Sequence, residues 1–362
     1  MDHGAHRHLT EAATFAIVST DEFDEYSKEV VQRRQEELEL PRDWDILTWA
    51  QQQQDTGDKA DKASSSGEAD DVQLVIGVKT AVLSNFPRRQ AIRETWGRQA
   101  PLSKVKVLFL GCNPNMLGID DERHRQLFRD AVALEKAAYG DLLTEELDCQ
   151  DAYELLPDKV TKFYHFAAIN FPQTSYVMIA DDDIYLRVDK LVKLLDGLDS
   201  TKRVYLGQAW NSVFSRASTP VREEFHKNYL PMEQYPMSQL LPYAFGAHHV
   251  ISMDCTRFIS KNYWRLRGMS GLDDVSVALW LLTMQVRLKH TQTFAHLTTQ
   301  ACKNTLISFA ELSPLGIRAI HTNLLRGNEF CDDFDRTASN EYKALSPLEI
   351  LATQGLTSSA AN

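Results

Sequence analysis

The sequence predicts an α/β protein: a doubly wound, mostly parallel sheet with helices on both faces. Three observations predict it. From Val72 onward, short apolar runs of strand formers alternate with longer segments of helical periodicity. The composition is that of a globular protein, with 43% hydrophobic and 25% charged residues in a chain of 362. One apolar run, Tyr176–Ala180, ends abruptly in Asp181-Asp182-Asp183, and open α/β sheets bind ligands at the carboxyl ends of their strands.

Taken in order, residues 1 to 71 read as an extension. Asp21 to Leu40 suits a charged amphipathic helix with Phe23, Tyr26, Val30 and Val31 on one side, stopped by Pro41. Gln51 to Asp71 is polar and reads as a flexible, stem-like linker. The main domain is expected over 72–335. It opens with a strand from Val72 through Val78, continuing to Leu83, and a helix over Arg88–Trp96. Lys106–Gly111 is a second buried strand, and Asp121–Tyr139 is a helix closed near Gly140. Asp141–Leu143 is a short strand, Lys159–Asn170 a helix ended by Phe171-Pro172, and Val188–Leu198 another helix. Val204–Gly207 and Tyr243–Ser252 read as strands flanking a turn-rich stretch over 211–240, a substrate-side loop or hairpin. Asp273–Met284 is a helix, and Val286–His290 and Ile317–His321 are late strands. Residues 336–362 read as a polar, loosely held tail.

Net charge is −11, which opposes general nucleic-acid binding. The five cysteines, Cys112, Cys149, Cys255, Cys302 and Cys331, have no zinc or iron–sulfur spacing. They suit a reduced compartment or one or two disulfides equally. No run reaches the roughly 18 apolar residues that span a bilayer. No Gly-rich P-loop, GxGxxG, GxSxG or HExxH pattern occurs.

The chemistry resides in charged clusters. Three adjacent carboxylates at a strand end repel one another and call for a cation, unless they form a solvated acidic turn. Arg88, Arg89 and Arg93 follow the first strand, where a strand-to-helix turn can grip phosphate oxygens; alternatively they cover a helix surface. A basic edge and an acidic edge in one sheet suit a metal–diphosphate ligand. Oxygen ligation favours Mg²⁺ or Mn²⁺, and an added histidine favours Mn²⁺. Asp273-Asp274 opens a helix, as caps or as a general base. His321, ending an apolar run, is either a satisfied polar group or a metal ligand. His248-His249, inside an apolar strand, read as structural.

Five segments in register carry a resemblance. Arg88–Gly97 resembles the RRxAIRxTW signature of the β-1,3-galactosyltransferase family (glycosyltransferase family 31, Fringe-related). Ala138–Leu143 is similar to its YGDIL, Asp181–Leu186 to its DDDxFV, Leu241–Ser252 to its PPYxxGxGYVLS, and Asp273–Val275 to its EDV. The resemblance, over about 74–325, implies a GT-A-type fold and an inverting transfer from a UDP-sugar, forming a β-1,3 bond to an acceptor hydroxyl. The acceptor would be a glycan, glycoprotein or glycolipid. By motif position it implies that Asp183 and His321 ligate Mn²⁺, and that Asp181 and Asp182 hold the metal–diphosphate and ribose. It implies Asp274 as the base, Gly246 as the close approach to the donor sugar, and Tyr243 and Trp210 as sugar-stacking groups. Asp273 replaces the family's glutamate, and Ala247-His248-His249 replaces its Gly and Tyr, so the sugar-facing side departs from the pattern. Family members are usually Golgi membrane proteins with an N-terminal anchor, which this chain does not show. Two readings compete with the transferase. One is a DxD phosphatase of the haloacid-dehalogenase type, built on Asp181 and Asp183; the other is a catalytically silent carbohydrate-binding relative.

Overall fold

The computed structural model describes residues 20–56, 72–211, 218–334, 336–340 and 342–356. Helices α1 (Thr20–Glu37) and α2 (Ile46–Thr56) precede β1 (Leu74–Lys79). Next come α3 (Phe86–Glu94), α4 (Trp96–Gln99), β2 (Val105–Leu110), α5 (Glu122–Tyr139) and β3 (Leu142–Leu143). Then α6 (Leu156–Asn170), β4 (Tyr176–Asp181), β5 (Tyr185–Leu186) and α7 (Val188–Asp196) follow. After β6 (Tyr205–Trp210) and β7 (Tyr243–Ser252) come α8 (Met253–Asn262) and α9 (Asp273–Leu282). The last elements are β8 (Leu288–His290), β9 (Phe294–His296), β10 (Ser308–Ala310), α10 (Pro314–Leu325), α11 (Arg336–Asn340) and α12 (Pro347–Thr353).

The main sheet has the order β3-β2-β1-β4-β7-β6-β8. Its pairings are parallel except those of β7, which runs against both β4 and β6. The expected mostly parallel sheet is therefore present. A smaller sheet, β5-β10-β9, lies beside it. Successive strand residues face opposite sides, and the two cores follow that alternation. Leu74, Ile76, Val78, Met178 and Ala180 join one core with α2, α3, α5, α7 and α10. Val75, Val177 and Ile179 join the other with α6, α8 and α9. Gly77 has to be glycine because a Cβ there would lie 2.3 Å from the Phe163 ring.

Most predicted helices and strands are present, and four readings are corrected. β1 ends at Lys79, not Leu83, because Thr80 onward turns away and its groups are taken by Lys159 and Asp151. Ile317–His321 is helix, not strand: Ser313 caps α10 by accepting from the Gly316 amide, and Pro314 pre-sets its first turn. Gln51–Thr56 is the end of α2 rather than linker, while residues 57–71 lie outside the described residues. The tail contributes α12, capped by a Ser346/Glu349 box, with Ile350 and Leu351 buried. Of the expected apolar side of α1, Val30 is buried beside Leu315; the side chains of Phe23 and Tyr26 lie outside the described residues.

The sequence reading missed α2 because four glutamines mask its apolar face. Ile46, Leu47 and Trp49 are buried in the main core, and Trp49 packs 5.0 Å from Phe86 and 5.9 Å from Tyr139 between ring centroids. A domain boundary at Val72 would cut through this packing. Two disulfides, Cys112–Cys149 and Cys302–Cys331, tie loops together, and Cys255 is buried and free. Among the described residues no helix is long and apolar enough to cross a membrane.

Truncating Trp49 tests whether α2 belongs to the cooperative core. Trp49→Ala should lower unfolding stability by about 3–5 kcal/mol in urea denaturation. A loss under about 0.5 kcal/mol, the range of surface changes, would show that α2 is peripheral.

Candidate active site at the carboxyl ends of β1 and β4

Lys79 and Asp181 are register partners on the parallel strands β1 and β4. Strand alternation turns both toward the α6–α9 side, just where the strands end. There α9 presents its first residue, Asp273. Lys79 Nζ lies 3.0 Å from Asp181 Oδ1 and 2.9 Å from Asp273 Oδ2, and donates to the Gly246 carbonyl at 3.2 Å. Burial opposes the charge on Lys79, but Asp181 and Asp273 outweigh it and hold the ammonium protonated well above its ordinary range. Lys79 was absent from the sequence-predicted set. A lone lysine closing an apolar strand carries little signal until the register sets it opposite an acid.

The next two aspartates turn the other way. Asp182 is buried and accepts from Asn85 Nδ2 at 2.9 Å and from Arg88 Nη1 at 3.0 Å. The same Arg88 nitrogen stands 3.6 Å from Asp183 Oδ2. Arg88 also lies over the Tyr342 ring at 5.2 Å, so the C-terminal segment reaches this site. Asp183 Oδ1 is buried and has no protein partner. Burial, opposed by Arg88 and reinforced by Asp181 and Asp182, pushes the Asp183 carboxyl up to about 7.

Asp274 follows Asp273 on the same helix turn. Its Oδ1 accepts from the Val275 amide at 2.7 Å, and a Cβ on Gly246 would lie 3.2 Å from its Oδ2. Gly246 thus keeps open the space in front of this carboxylate. Burial, with the adjacent Asp273, pushes Asp274 up to about 7. That value suits a general base working near neutrality. Tyr243 is buried, and its hydroxyl pKa is raised by burial and by the charge of Asp274, which places it beside that residue. Tyr243 pairs across the strands with Trp210. The Trp210 indole stacks on Phe245 at 4.5 Å and donates to Ser218 Oγ at 3.1 Å, so one of its faces is already covered.

Three expectations are corrected. Arg89 and Arg93 are spent inside the fold rather than offered to a phosphate. Arg89 is fully buried, and all five of its N–H groups are used: by Glu135 twice, Thr80 Oγ1, and the Ala81 and Val82 carbonyls. Arg93 pairs with Asp141 at 2.6 Å and with Glu135 at 2.8 Å, lying 4.0 Å over the Tyr139 ring. His321, on α10, has its Nδ1 2.9 Å from the Tyr185 hydroxyl. Among the described residues no group of three His, Cys, Asp or Glu side chains is arranged to hold a metal ion, so Asp181, Asp183 and His321 do not close a ligand set. His248 and His249 bond to Ser308 Oγ at 2.9 Å and to the Tyr164 hydroxyl at 2.7 Å, which fits a structural role.

The edge therefore gathers Arg88, Asp181, Asp182, Asp183, Asp273, Asp274, Gly246 and Tyr243. Comparisons with known proteins agree with its motifs. The Galactosyltransferase family profile matches residues 87–292, more than half of the chain, and the chain belongs to that family. Lactosylceramide 1,3-N-acetyl-beta-D-glucosaminyltransferase from Rattus norvegicus is 31% identical over 217 residues, covering 59% of this chain and 54% of the relative. Its Homo sapiens counterpart is 30% identical over the same length. Hydroxyproline O-galactosyltransferase from Arabidopsis thaliana is 27% identical over 271 residues, covering 72% of this chain and 36% of the relative. The chain spans about half the length of the first two relatives. Family membership leaves no support for the phosphatase reading.

The raised Asp274 pKa has a consequence for stability. Its folded value of about 7 lies above the ordinary 3.8, so the native state holds this proton more tightly than the unfolded chain. The stability gained is complete below pH ~4 and is lost as pH rises through ~7. Asp274→Asn, neutral at every pH, should stabilise the protein at pH 8 by roughly 1–3 kcal/mol and change little at pH 4. Denaturant titrations at the two pH values check this; equal effects at both would contradict the burial argument.

Proposed function

We propose that this member of the Galactosyltransferase family is an inverting hexosyltransferase, moving galactose or N-acetylglucosamine from a UDP-sugar to an acceptor hydroxyl in β-1,3 linkage. The observation that carries the reading is the split of the aspartate triplet. Asp181 is held by Lys79, Asp182 by Arg88 and Asn85, and Asp183 keeps a buried oxygen with no protein partner. That oxygen would suit a divalent cation, Mn²⁺ or Mg²⁺. Bound there, the ion would supply charge neutralisation for the departing UDP.

The chain's own groups account for the rest. Arg88 is placed to take residual phosphate charge. Gly246 leaves room for the donor sugar in front of Asp274. The Asp274 carboxylate accepts the proton of the acceptor hydroxyl as that oxygen bonds to the anomeric carbon. The bond from that carbon to the diphosphate oxygen breaks on the opposite face, and its electron pair leaves with UDP. A single displacement turns an α-linked donor into a β-linked product. Tyr243 and Trp210 would orient the sugars. The relatives named above transfer N-acetylglucosamine to a glycolipid and galactose to hydroxyproline by their names, which supports either donor and a glycolipid or glycoprotein acceptor. Two disulfides suit an oxidising lumen, and we assign the working compartment to the Golgi.

The test is UDP release from UDP-Gal, UDP-GlcNAc, UDP-GalNAc and UDP-Glc, with Mn²⁺ or with EDTA. One donor should turn over, only with metal, and kcat/KM should rise with pH up to about 7 as Asp274 loses its proton. Asp274→Asn should lower kcat by ~10²–10⁴-fold and remove that limb of the profile. Binding of UDP and Mn²⁺ with no turnover of any donor would favour the silent sugar-binding relative.

A further inference from the structure

We propose that the cavity beside Asp274, between α9 and the strands β6 and β8, is an acceptor subsite for an apolar aglycone, the alkyl chain of a lipid-linked monosaccharide. The inference rests on the transferase reading above and names the class of acceptor this chain would take.

The cavity has a volume of about 250 Å³. Ala278 and Leu282 of α9 line one side, and Tyr205 and Ala209 of β6 line another. Pro242, just before β7, and Leu288 of β8 add to the wall. Its polar groups are few and placed out of the way. The Tyr205 hydroxyl accepts from the Ala244 amide at 2.9 Å, and Arg287 is exposed. Leu282 is 58% exposed, so the apolar wall reaches solvent, and β8 is the last strand of the main sheet. A chain lying in the cavity can therefore leave along the sheet edge.

The cavity continues the candidate active site. Asp274, Ala278 and Leu282 follow at intervals of four residues and form one stripe of α9. Each step is about 6 Å of helix rise, close to the length of one sugar ring. On the strand side, Pro242 precedes Tyr243 and Ala209 precedes Trp210, and Tyr243 and Trp210 are cross-strand partners. Burial raises the pKa of the Tyr205 hydroxyl and the charge of Asp274 adds to it, so this wall feels the proposed base. An acceptor sugar with its hydroxyl at Asp274 would cover the first turn of α9 and deliver its glycosidic substituent to Ala278. A second sugar or a peptide there would bury polar groups with few partners, which is costly. An alkyl chain would gain from leaving water. The lining thus favours a glycolipid over a glycoprotein acceptor.

The test is acceptor kinetics of the full chain with methyl, butyl and octyl β-glycosides of galactose and N-acetylglucosamine, kept below micelle-forming concentrations. Each methylene that enters the cavity should lower KM about two- to fourfold, and KM should fall at least ~10-fold from methyl to octyl with kcat little changed. Leu282→Asp alters an exposed side chain and should remove most of that gain, leaving KM for the methyl glycoside and for the UDP-sugar unchanged. Ala278→Leu, which fills the cavity, should do the same, with circular dichroism establishing that it is folded. Equal KM for methyl and octyl glycosides would overturn the proposal, as would a gain that survives in both variants, or a lower KM for a glycosylated peptide than for the octyl glycoside. Calorimetric titration of the octyl and methyl glycosides separates the two readings. Octyl binding that is lost in Leu282→Asp, with no donor turned over, would keep the subsite and overturn the transferase; donor turnover without octyl binding would overturn the subsite alone.

Discussion

The buried ammonium of Lys79 is what allows the acidic edge to exist. It ties Asp181 at the end of β4 to Asp273 at the start of α9, and its third contact fixes the Gly246 carbonyl of β7. Three elements distant in sequence are thereby held at one point. Even so, among the described residues five carboxylates at this edge face two cations close at hand, Lys79 and Arg88. Burial and the neighbouring negative charges raise the pKa values of Asp183, Asp273 and Asp274. An edge built with surplus negative charge is stabilised by whatever brings positive charge to it. In the proposed reaction a metal–diphosphate donor would do so on one side, and an acceptor hydroxyl giving up its proton on the other.

The arginine-rich motif divides its labour by helix geometry. Arg89 and Arg93 are four residues apart and share a face of α3, whereas Arg88 projects about 100° away from Arg89. The shared face looks inward, where Glu135 of α5 meets both guanidiniums and Asp141 before β3 meets that of Arg93. Removing one member of such a buried cluster would strand the others, a cost of about 3–5 kcal/mol. The inner arginines thus fasten α3 to the sheet so that Arg88, at its first turn, stays over the aspartates. The three positions look alike in the sequence, and only the helical period separates site from scaffold.

Much of the fold was legible because buried strands and capped helices leave strong local marks. Asp121 and Gly140 bracket α5 as an N-cap and a left-handed C-cap, as their residue types suggest. The misreadings have equally local causes. The apolar run Ile317–Ile320 is too short for periodicity to distinguish strand from helix, although the Ser313-Pro314 start signal was present. In the site, adjacent acids and motif spacing pointed to Asp181–Asp183 and Asp274. Lys79 escaped notice because it is an isolated residue at a strand end. Its significance depends on cross-strand register with Asp181, which arises only when distant segments pair. The disulfide pairing was hidden for the same reason.

The central claim, a carboxylate edge completed by a metal–diphosphate, is tested most directly by calorimetric titration of UDP into the protein at pH 6.5, with Mn²⁺ and with EDTA. The account predicts binding only with Mn²⁺, accompanied by net proton release seen as a dependence of the heat on buffer, because carboxyls held near 7 must ionise to meet the ion. Equal UDP binding in EDTA, or Mn²⁺-dependent binding with no proton release, would contradict it.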